Sequence, residues 1–451
     1  MEISFLGAAR TVTGSKYLLT VKNKKFMIDC GLYQGYKDMR LKNWDKLPVN
    51  PQEIEAVILT HAHVDHSGYI PLLVKNGFRG KIYCTRGTRD LCSILLPDCG
   101  HLEEEDAARA NRYGYSKHTP ALPLYTYQDA IQALDYFMPL DFDSAHELTQ
   151  DLTLKLLPSG HIIGASLVRL EHHGQSILFT GDLGRKHHPI MRAPAIVTHS
   201  DYLVIESTYG DRLHSASSPE NQLADVVNNT LSKEGSVIIP AFAVGRSQDI
   251  LYYLYSLKEQ GRIPDVPVYL DSPMAQDVSD LFCKYADEHQ LPENVCIQVC
   301  KTAKYIRTPE ESKAVSQSRH SKIIISASGM ATGGRILHHL KAFLPYENHT
   351  ILFTGYQAPG TRGDRLMRGE TEIKIHGEYI PVRASILMME NMSAHADYQE
   401  MLDWLKHFKQ PPGKVFITHG MIESALSLSE KISTELGWAC QIPEYLQTAS
   451  L

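Results

Sequence analysis

Four residues that can bind a cation fall in one short run: His61, His63, Asp65 and His66, within T-HAHVDH-SGYIP at residues 60–71. Imidazole nitrogen and carboxylate oxygen are borderline ligands, suited to Zn²⁺ and similar divalent ions. His61 and His63, two apart, can converge on one ion. Asp65 and His66, on the next stretch of the turn, can face a second. A single ion rarely takes four ligands from so tight a run. The sequence also shows what positions them. Residues 56–59 form an apolar strand of the kind that buries in a sheet. Gly68 and Pro71 follow the ligands, so the run reads as strand, ligand-bearing turn and helix start. The alternative, a histidine-rich surface loop, lacks the framework that this strand supplies.

T-H-x-H-x-D-H after an apolar strand resembles the metallo-β-lactamase fold. That resemblance implies an αββα sandwich with metal ions at one edge of its two sheets. The motif alone does not separate lactamases, thioesterases, glyoxalases and nucleases. Two further groups lie downstream. His161 sits in P-S-G-H-I-I-G-A at 158–165, between glycines that let the backbone approach closely. Asp182 follows Gly181 at the end of a strand over 176–180, where its two oxygens can bridge two ions. The sequence therefore offers His61, His63 and His161 to one ion, and Asp65, His66 and one more ligand to the other, with Asp182 between them. Taken alone, His161 is an ordinary core or surface histidine; the upstream motif and Asp182 make it a ligand candidate. Asp29 closes a strand over 25–29, just before Cys30 and Gly31. The resemblance implies that it supports the metal-site turn without being a ligand; capping of its own turn is the alternative.

The length of 451 residues fits two to three domains, and 43% apolar residues supply ample core. A formal charge of −6 excludes strong polybasic character, so a nucleic-acid partner would need a local basic patch or metal-assisted phosphate contacts. The start, MEISFLGAAR, has no basic region followed by an apolar run and cleavage site. No stretch reaches the roughly 18 apolar residues of a membrane span. The eight cysteines form no CxxC pair, and Cys296 and Cys300, four apart, mark no site by themselves. Reduced thiols in a cytoplasmic enzyme are the plain reading.

Strands over 3–6, 17–21 and 25–29 open the chain. Helices follow over 70–76, 85–95, 101–113 and 127–140, then strands over 152–156, 176–180 and 202–205. From about 211 the pattern changes to repeated strand, turn and helix, with strands over 237–240, 268–271, 323–326 and 351–354. This predicts a parallel α/β unit; it carries no GxGxxG, which disfavours a dinucleotide site. The first domain resumes at 387. Asp397 and Glu400 are spaced to cap a helix over 398–408. A last buried strand over 415–418 ends in His419, where a sixth histidine would complete the second ligand set. A lone strand-end histidine is the alternative. The fold class is α/β, with domains over 1–210, 211–386 (inserted) and 387–451.

This order resembles the β-CASP branch of the metallo-β-lactamase family, whose members process nucleic acids. They include the endonuclease of messenger RNA 3′-end formation and bacterial RNA-degrading relatives. The insert carries similar phrases, PAFAVGRSQ, DSPMA and ISASGMATGGR. The branch-specific acid corresponds to Glu206 in ESTYG, the branch-specific histidine to His395 in SAHAD, and the last ligand to His419 in ITHG. A histidine at the SAHAD position goes with RNA in that branch. The expected cofactors are two divalent ions, Zn²⁺ first and Mn²⁺ second. The expected partner is single-stranded RNA, with a homodimer admitted and no membrane. No accessory RNA-binding domain is expected before Met1 or after Leu451.

The implied activity is hydrolysis of phosphodiester bonds in single-stranded RNA by a hydroxide shared between two ions. It would be endonucleolytic, with 5′ exonucleolytic cleavage as a further mode. Asp65, Asp182, Glu206 and His395 form the expected catalytic set: His395 protonates the leaving oxygen, and Glu206 orients that imidazole and raises its pKa. Ser328 and Gly329 read as an anion nest at an expected helix N-terminus, or as a plain structural turn. Residues 301–322 hold Lys301, Lys304, Arg307, Lys313, Arg319 and Lys322, a basic wall for RNA or a solvated face. Arg362 and Arg365 are further candidates for phosphate. Two alternatives stand beside this reading. A small ester or thioester hydrolase of the same fold needs the metals but not the His395–Glu206 pair. A non-catalytic RNA-binding scaffold is opposed by the complete ligand set.

Overall fold

Alternation along each strand decides which side chains meet the core, and here the apolar runs are long enough to build three sheets. The computed structural model describes residues 1–114, 116–215, 217–355 and 357–451. The chain divides into two units, Met1–Leu213 with His395–Leu451, and His214–Ala394.

The first unit holds two seven-stranded sheets. One has the order Thr448–Ser450, Glu2–Phe5, Tyr17–Val21, Lys24–Ile28, Ile54–Ile58, Lys81–Thr85, Phe137–Leu140. The other has the order Cys440–Gln441, Lys414–Thr418, Tyr202–Glu206, Gln175–Phe179, Ser166–His172, Leu152–Pro158, Ala145–Thr149. Each sheet is part antiparallel and part parallel. The strands that lead into the candidate ligands, Ile54–Ile58, Gln175–Phe179, Tyr202–Glu206 and Lys414–Thr418, all have parallel neighbours. Parallel pairing brings their C-terminal ends to the same side of each sheet, where ligands bind in open α/β folds.

Phe5, Phe26 and Ile28 of one sheet pack with Val168, Phe179, Val204 and Phe416 of the other. Their sequence neighbours Leu178, Leu203, Ile205, Val415 and Ile417 point away, onto Met401, Leu402, Leu428 and Ile432. Those residues belong to the helices Tyr398–Leu405 and Ile422–Leu436. On the other flank, helices Ile70–Lys75 and Arg86–Tyr113 bury Ile70, Leu73, Leu91 and Leu96. The result is the expected αββα sandwich.

The second unit has a six-stranded, all-parallel sheet in the order Lys304–Tyr305, Val268–Asp271, Ile323–Ser326, Val237–Pro240, Thr350–Phe353, Ser385–Met388. Helices cover both faces, so its central strands read as continuous apolar runs. Val237, Ile239, Ile323 and Ile325 face one cluster, and Ile238, Ile324, Ile351 and Phe353 the other.

Three elements differ from the sequence reading. Residues 86–113 form one 28-residue helix, with Pro97 inside it, in place of two. The helix expected through 140 ends at Ala133, and Phe137–Leu140 is the edge strand beside Lys81–Thr85. Pro139 is tolerated there because an edge strand has a side that need not donate to a neighbour. The expected return to the first domain at 387 falls inside Ser385–Met388, which pairs with Thr350–Phe353 of the inserted sheet; the units change over between Ala394 and His395. Among the described residues, no helix is long and apolar enough to cross a membrane.

Candidate metal centre

The Ile54–Ile58 strand is buried at four of its five positions, and the chain leaves it through Leu59 and Thr60 into the ligand turn. His63 is the N-cap of the short helix Val64–Ser67, which carries Asp65 and His66, two and three residues after His63. Two close backbone approaches hold this turn. A Cβ on Gly31 would lie 1.6 Å from the Asp65 carbonyl oxygen, so only glycine lets the loop after Asp29 pass. Gly181, at φ +51°, presses against Thr60, whose Cβ would be 2.7 Å from an added Cβ. Asp29 and His419 hold left-handed backbone, φ 57° and 50°, a conformation that costs energy in residues with a side chain and concentrates at functional sites.

The ligand atoms form two groups. In the first, His61 Nε2 lies 3.1 Å and His161 Nε2 3.2 Å from His63 Nδ1. Asp182 Oδ2 is 3.3 Å from His61 Nε2 and 3.4 Å from His161 Nε2. In the second, His66 Nε2 and His419 Nε2 are 3.0 Å apart, and Asp65 Oδ2 lies 3.5 Å from His419 Nε2. The other oxygen of Asp182, Oδ1, is 3.2 Å from His66 Nε2. One carboxylate thus turns one oxygen to each group. The seven residues fall into two clusters, each with ligand atoms within 4.8 Å of one another, with Asp182 in the first.

This donor set fits cations. Neutral imidazoles that point lone pairs at one another repel, and a positive charge between them removes the conflict. Burial disfavours charge on His61, His63 and His161, lowering all three, His63 to about 3, so their lone pairs are available near neutral pH. Burial also opposes ionisation of Asp182, but the surrounding imidazoles, His66 and His419 foremost, hold it well below the usual carboxylate range. Asp182 Oδ1 is buried and has no hydrogen-bond partner among the described residues. A buried carboxylate oxygen left in this state needs a cation.

Outer groups fix the rings. Asp29 accepts from Thr60 N at 2.8 Å and from Thr60 Oγ1 at 3.0 Å, and lies 2.7 Å from His66 Nδ1. Thr60 Oγ1 is also 3.0 Å from His61 Nδ1, and Thr208 Oγ1 3.2 Å from His419 Nδ1. Such partners set the tautomer and aim of a ligating imidazole. Thr60 and Thr208 were not singled out by sequence reasoning. The available signal was their position, one residue before His61 and two after Glu206.

His395 stands beside this centre. Its Nδ1 lies 3.1 Å and 3.2 Å from the two Glu206 oxygens and 3.9 Å from Asp182 Oδ2. Glu206, fully buried, also accepts from Leu183 N at 2.6 Å. Burial works against a charged His395, yet the Glu206 and Asp182 carboxylates outweigh it and hold the imidazole up at about 9. His63, Asp65 and His395 keep partial exposure, while His61, His66, His161, Asp182, Glu206 and His419 are buried.

The candidates in the second unit are placed differently. Ser328 and Gly329 lie in a turn, and the helix expected there begins only at Ile336, after Gly333 and Gly334 (φ +77°). Ser328 Oγ accepts from Thr332 N at 3.0 Å. Arg362 donates to the carbonyls of Lys374 and Thr332, each at 3.0 Å, and Arg365 makes a two-pronged pair with Glu370 at 2.6 and 2.8 Å. Both guanidinium groups therefore brace the second unit. Lys322 also leaves the basic wall: it is fully buried, donates to the Val315 carbonyl and to Ser318, and sits over the Phe343 ring. Lys301, Lys304, Arg307, Lys313 and Arg319 remain exposed.

Comparisons with known proteins agree with this geometry. Residues 18–207 match the metallo-β-lactamase superfamily domain, 247–366 the β-CASP domain, and 379–443 the Zn-dependent metallo-hydrolase RNA specificity domain. Ribonuclease TTHA0252 of Thermus thermophilus is 34% identical over 440 residues, covering 96% of each chain. Transcription termination factor FttA of Methanocaldococcus jannaschii is 29% identical, over 96% of this chain and 69% of that protein. The protein of that name from Thermococcus kodakarensis is 31% identical, over 100% and 71%. A crystal structure of a protein of unknown function from Enterococcus faecalis shares the fold, with TM-score 0.56 and 13% identity over 100% of this chain and 99% of that one.

Proposed function

The chain belongs to the metallo-β-lactamase/β-CASP family, and from that premise we propose that it is a metal-dependent ribonuclease that hydrolyses phosphodiester bonds of single-stranded RNA. The observation that carries the chemistry is Asp182, whose two oxygens face two separate groups of buried ligand atoms. His61, His63 and His161 would hold one divalent ion and Asp65, His66 and His419 a second, with Asp182 shared. Imidazole with carboxylate suits Zn²⁺, and Mn²⁺ next. Bound there, two such ions supply Lewis acidity toward a phosphate and make an attacking water acidic enough to ionise near neutral pH.

The chain's own residues do the rest. Asp29 and Thr60 keep His66 and His61 aimed inward. Glu206, fixed by the Leu183 amide, accepts from His395 Nδ1–H, which leaves the proton on Nε2 as the one to donate. That proton goes to the leaving 3′ oxygen, whose expulsion as an alkoxide is costly. Removing it from the Glu206-paired imidazole leaves a neutral ring that the solvent reprotonates. Cleavage within the strand is the primary mode, with 5′ exonucleolysis a further one.

The test is to incubate metal-loaded protein with end-labelled single-stranded RNA and DNA of one sequence and to map the products. RNA should be cut and DNA spared, with activity lost to chelator and restored by Zn²⁺ or Mn²⁺. Equal cleavage of both, or none of RNA after reloading to two ions per chain, would refute the reading.

A further inference from the structure

Three of the eight cysteines, Cys283, Cys296 and Cys300, come together in the second unit from two successive helices. Cys283 lies in the last turn of helix Pro273–Lys284. Cys296 and Cys300 lie one turn apart on helix Glu293–Lys301, a spacing that puts both on one face. Cys283 Sγ is 2.7 Å from Cys296 Sγ and 3.4 Å from Cys300 Sγ, and all three sulfurs lie within 4.8 Å of one another. Cys296 is buried, whereas Cys283 and Cys300 are partly exposed, which gives a small ion a way in.

We propose that Cys283, Cys296 and Cys300 form a thiolate site for one ion of the zinc class, which ties these two helices together. Soft sulfur donors select Zn²⁺ over the hard cations. Sulfurs on one tetrahedral zinc, with bonds of about 2.3 Å, stand about 3.8 Å apart; Cys283 Sγ, at 2.7 and 3.4 Å from the other two, is closer than that, so an ion entering the trio would spread it slightly. A disulfide would use two sulfurs and give the third no role; a metal uses all three and leaves a fourth position for water.

A bound metal deprotonates its thiols outright. Binding is three thiols plus Zn²⁺ giving a tris-thiolate complex and three protons released to solvent. No electron moves.

The experiment adds cobalt(II) to the reduced, chelator-stripped full chain. Thiolate-to-cobalt charge transfer gives a near-ultraviolet band that a histidine–carboxylate site lacks. With the two histidine–carboxylate positions also open to cobalt, the band should saturate by about three ions per chain, with the intensity of one thiolate-bound ion, and vanish in Cys283→Ser and in Cys300→Ser, both of which should cleave RNA at the parental rate once reloaded with zinc. Cys440→Ser should keep it. Zinc-edge absorption of the parental chain should show sulfur at about 2.3 Å, which decides the matter however the variants fold. The absence of that sulfur, a band surviving in both serine variants, or an air-handled protein lacking two of its eight titratable thiols as a disulfide would overturn the proposal.

Discussion

Two buried aspartates end or follow a parallel strand, one in each unit, and they are finished in opposite ways. Asp271 closes Val268–Asp271 with no exposure, and protein donors saturate it: Arg335 Nη1 and His339 Nε2 at 2.7 Å each, and the Ser312 hydroxyl. Asp182 is as deeply buried, yet its neighbours are imidazole nitrogens at 3.2 to 3.5 Å, and Oδ1 has no hydrogen-bond partner among the described residues. A carboxylate that braces a fold collects N–H and O–H donors until its charge is answered. One that serves a metal is surrounded by groups that are themselves ligands: without the ion its charge is met by imidazoles such as His66, which Asp182 and Asp29 raise well above the usual value despite burial, and an ion would take that proton's place. The two sites resemble each other in burial and in residue type, so burial alone does not reveal chemistry; the direction of the neighbouring lone pairs does.

That contrast can be broken at several points. Asp182→Ala removes the one group common to both ligand sets. Ions per chain, by elemental analysis after reloading, should drop below two, and cleavage should fall beneath detection at any metal concentration. Retention of two ions would mean that the carboxylate does not bridge. Next in size is His395→Ala. It should lose ~10²- to 10⁴-fold in single-turnover cleavage, the usual worth of general acid help, with both ions kept. His419→Ala, by contrast, should lose metal and recover in part with excess divalent ion. Full recovery of His395→Ala on adding metal would make it a ligand.

Asp271→Ala tests the other side. Leaving Arg335 and His339 without their partner should cost about 3–5 kcal/mol of unfolding free energy in urea, as for a broken buried ion pair, while ion content in the folded protein stays at the parental value. Burial raises the Asp271 pKa, but His339, Ser312 and Arg335 together bring it below the ordinary value. A depressed folded pKa means that its contribution is present above the unfolded value of about 4 and is lost as pH falls through the folded one. As pH falls below about 4, the parent should therefore lose more stability than Asp271→Asn, while from neutrality down to mild acid the difference between the two should stay constant.

Much of the first site was legible because its ligands are local. His61, His63, Asp65 and His66 share one turn after an apolar strand, and that strand and turn are where the structure places them. The capping box of Asp397 and Glu400 was legible for the same reason. What failed depends on partners distant in sequence. Ser385–Met388 is a short apolar run that fits either unit, and only its pairing with Thr350–Phe353 assigns it. Lys322 looks like part of a charge run until Val315, Ser318 and Phe343 close around it. Pro97 punctuates a sequence yet removes only one hydrogen bond from a long helix, which runs through it. Cys296 and Cys300, four apart, mark no site by themselves, and Cys283 joins them only once two helices pack.

The smallest effect is expected of Glu206→Gln, and it separates an electrostatic role from a structural one. Glutamine keeps an oxygen to accept from Leu183 N and from His395 Nδ1, so the ring should stay in place. What goes is the negative charge. With Glu206 and Asp182 beside it and no ions bound, the His395 imidazole is held up at about 9 despite its burial. Two bound cations bring that value down, and the glutamate opposes them. A general acid must carry its proton, so the rate falls on the alkaline side as pH rises through this pKa. Without the glutamate charge the pKa drops, and the alkaline limb of kcat should move to lower pH by about one pH unit, equivalent to ~1.4 kcal/mol of interaction with the protonated ring. Well below the limb the variant should approach parental rates, and above it the deficit should reach about tenfold. In His395→Ala the same substitution should change nothing further, since both residues serve one proton transfer. A deficit equal at every pH, with the limb unmoved, would mean that Glu206 only holds the Leu183 loop in place and takes no part in setting the acidity of His395.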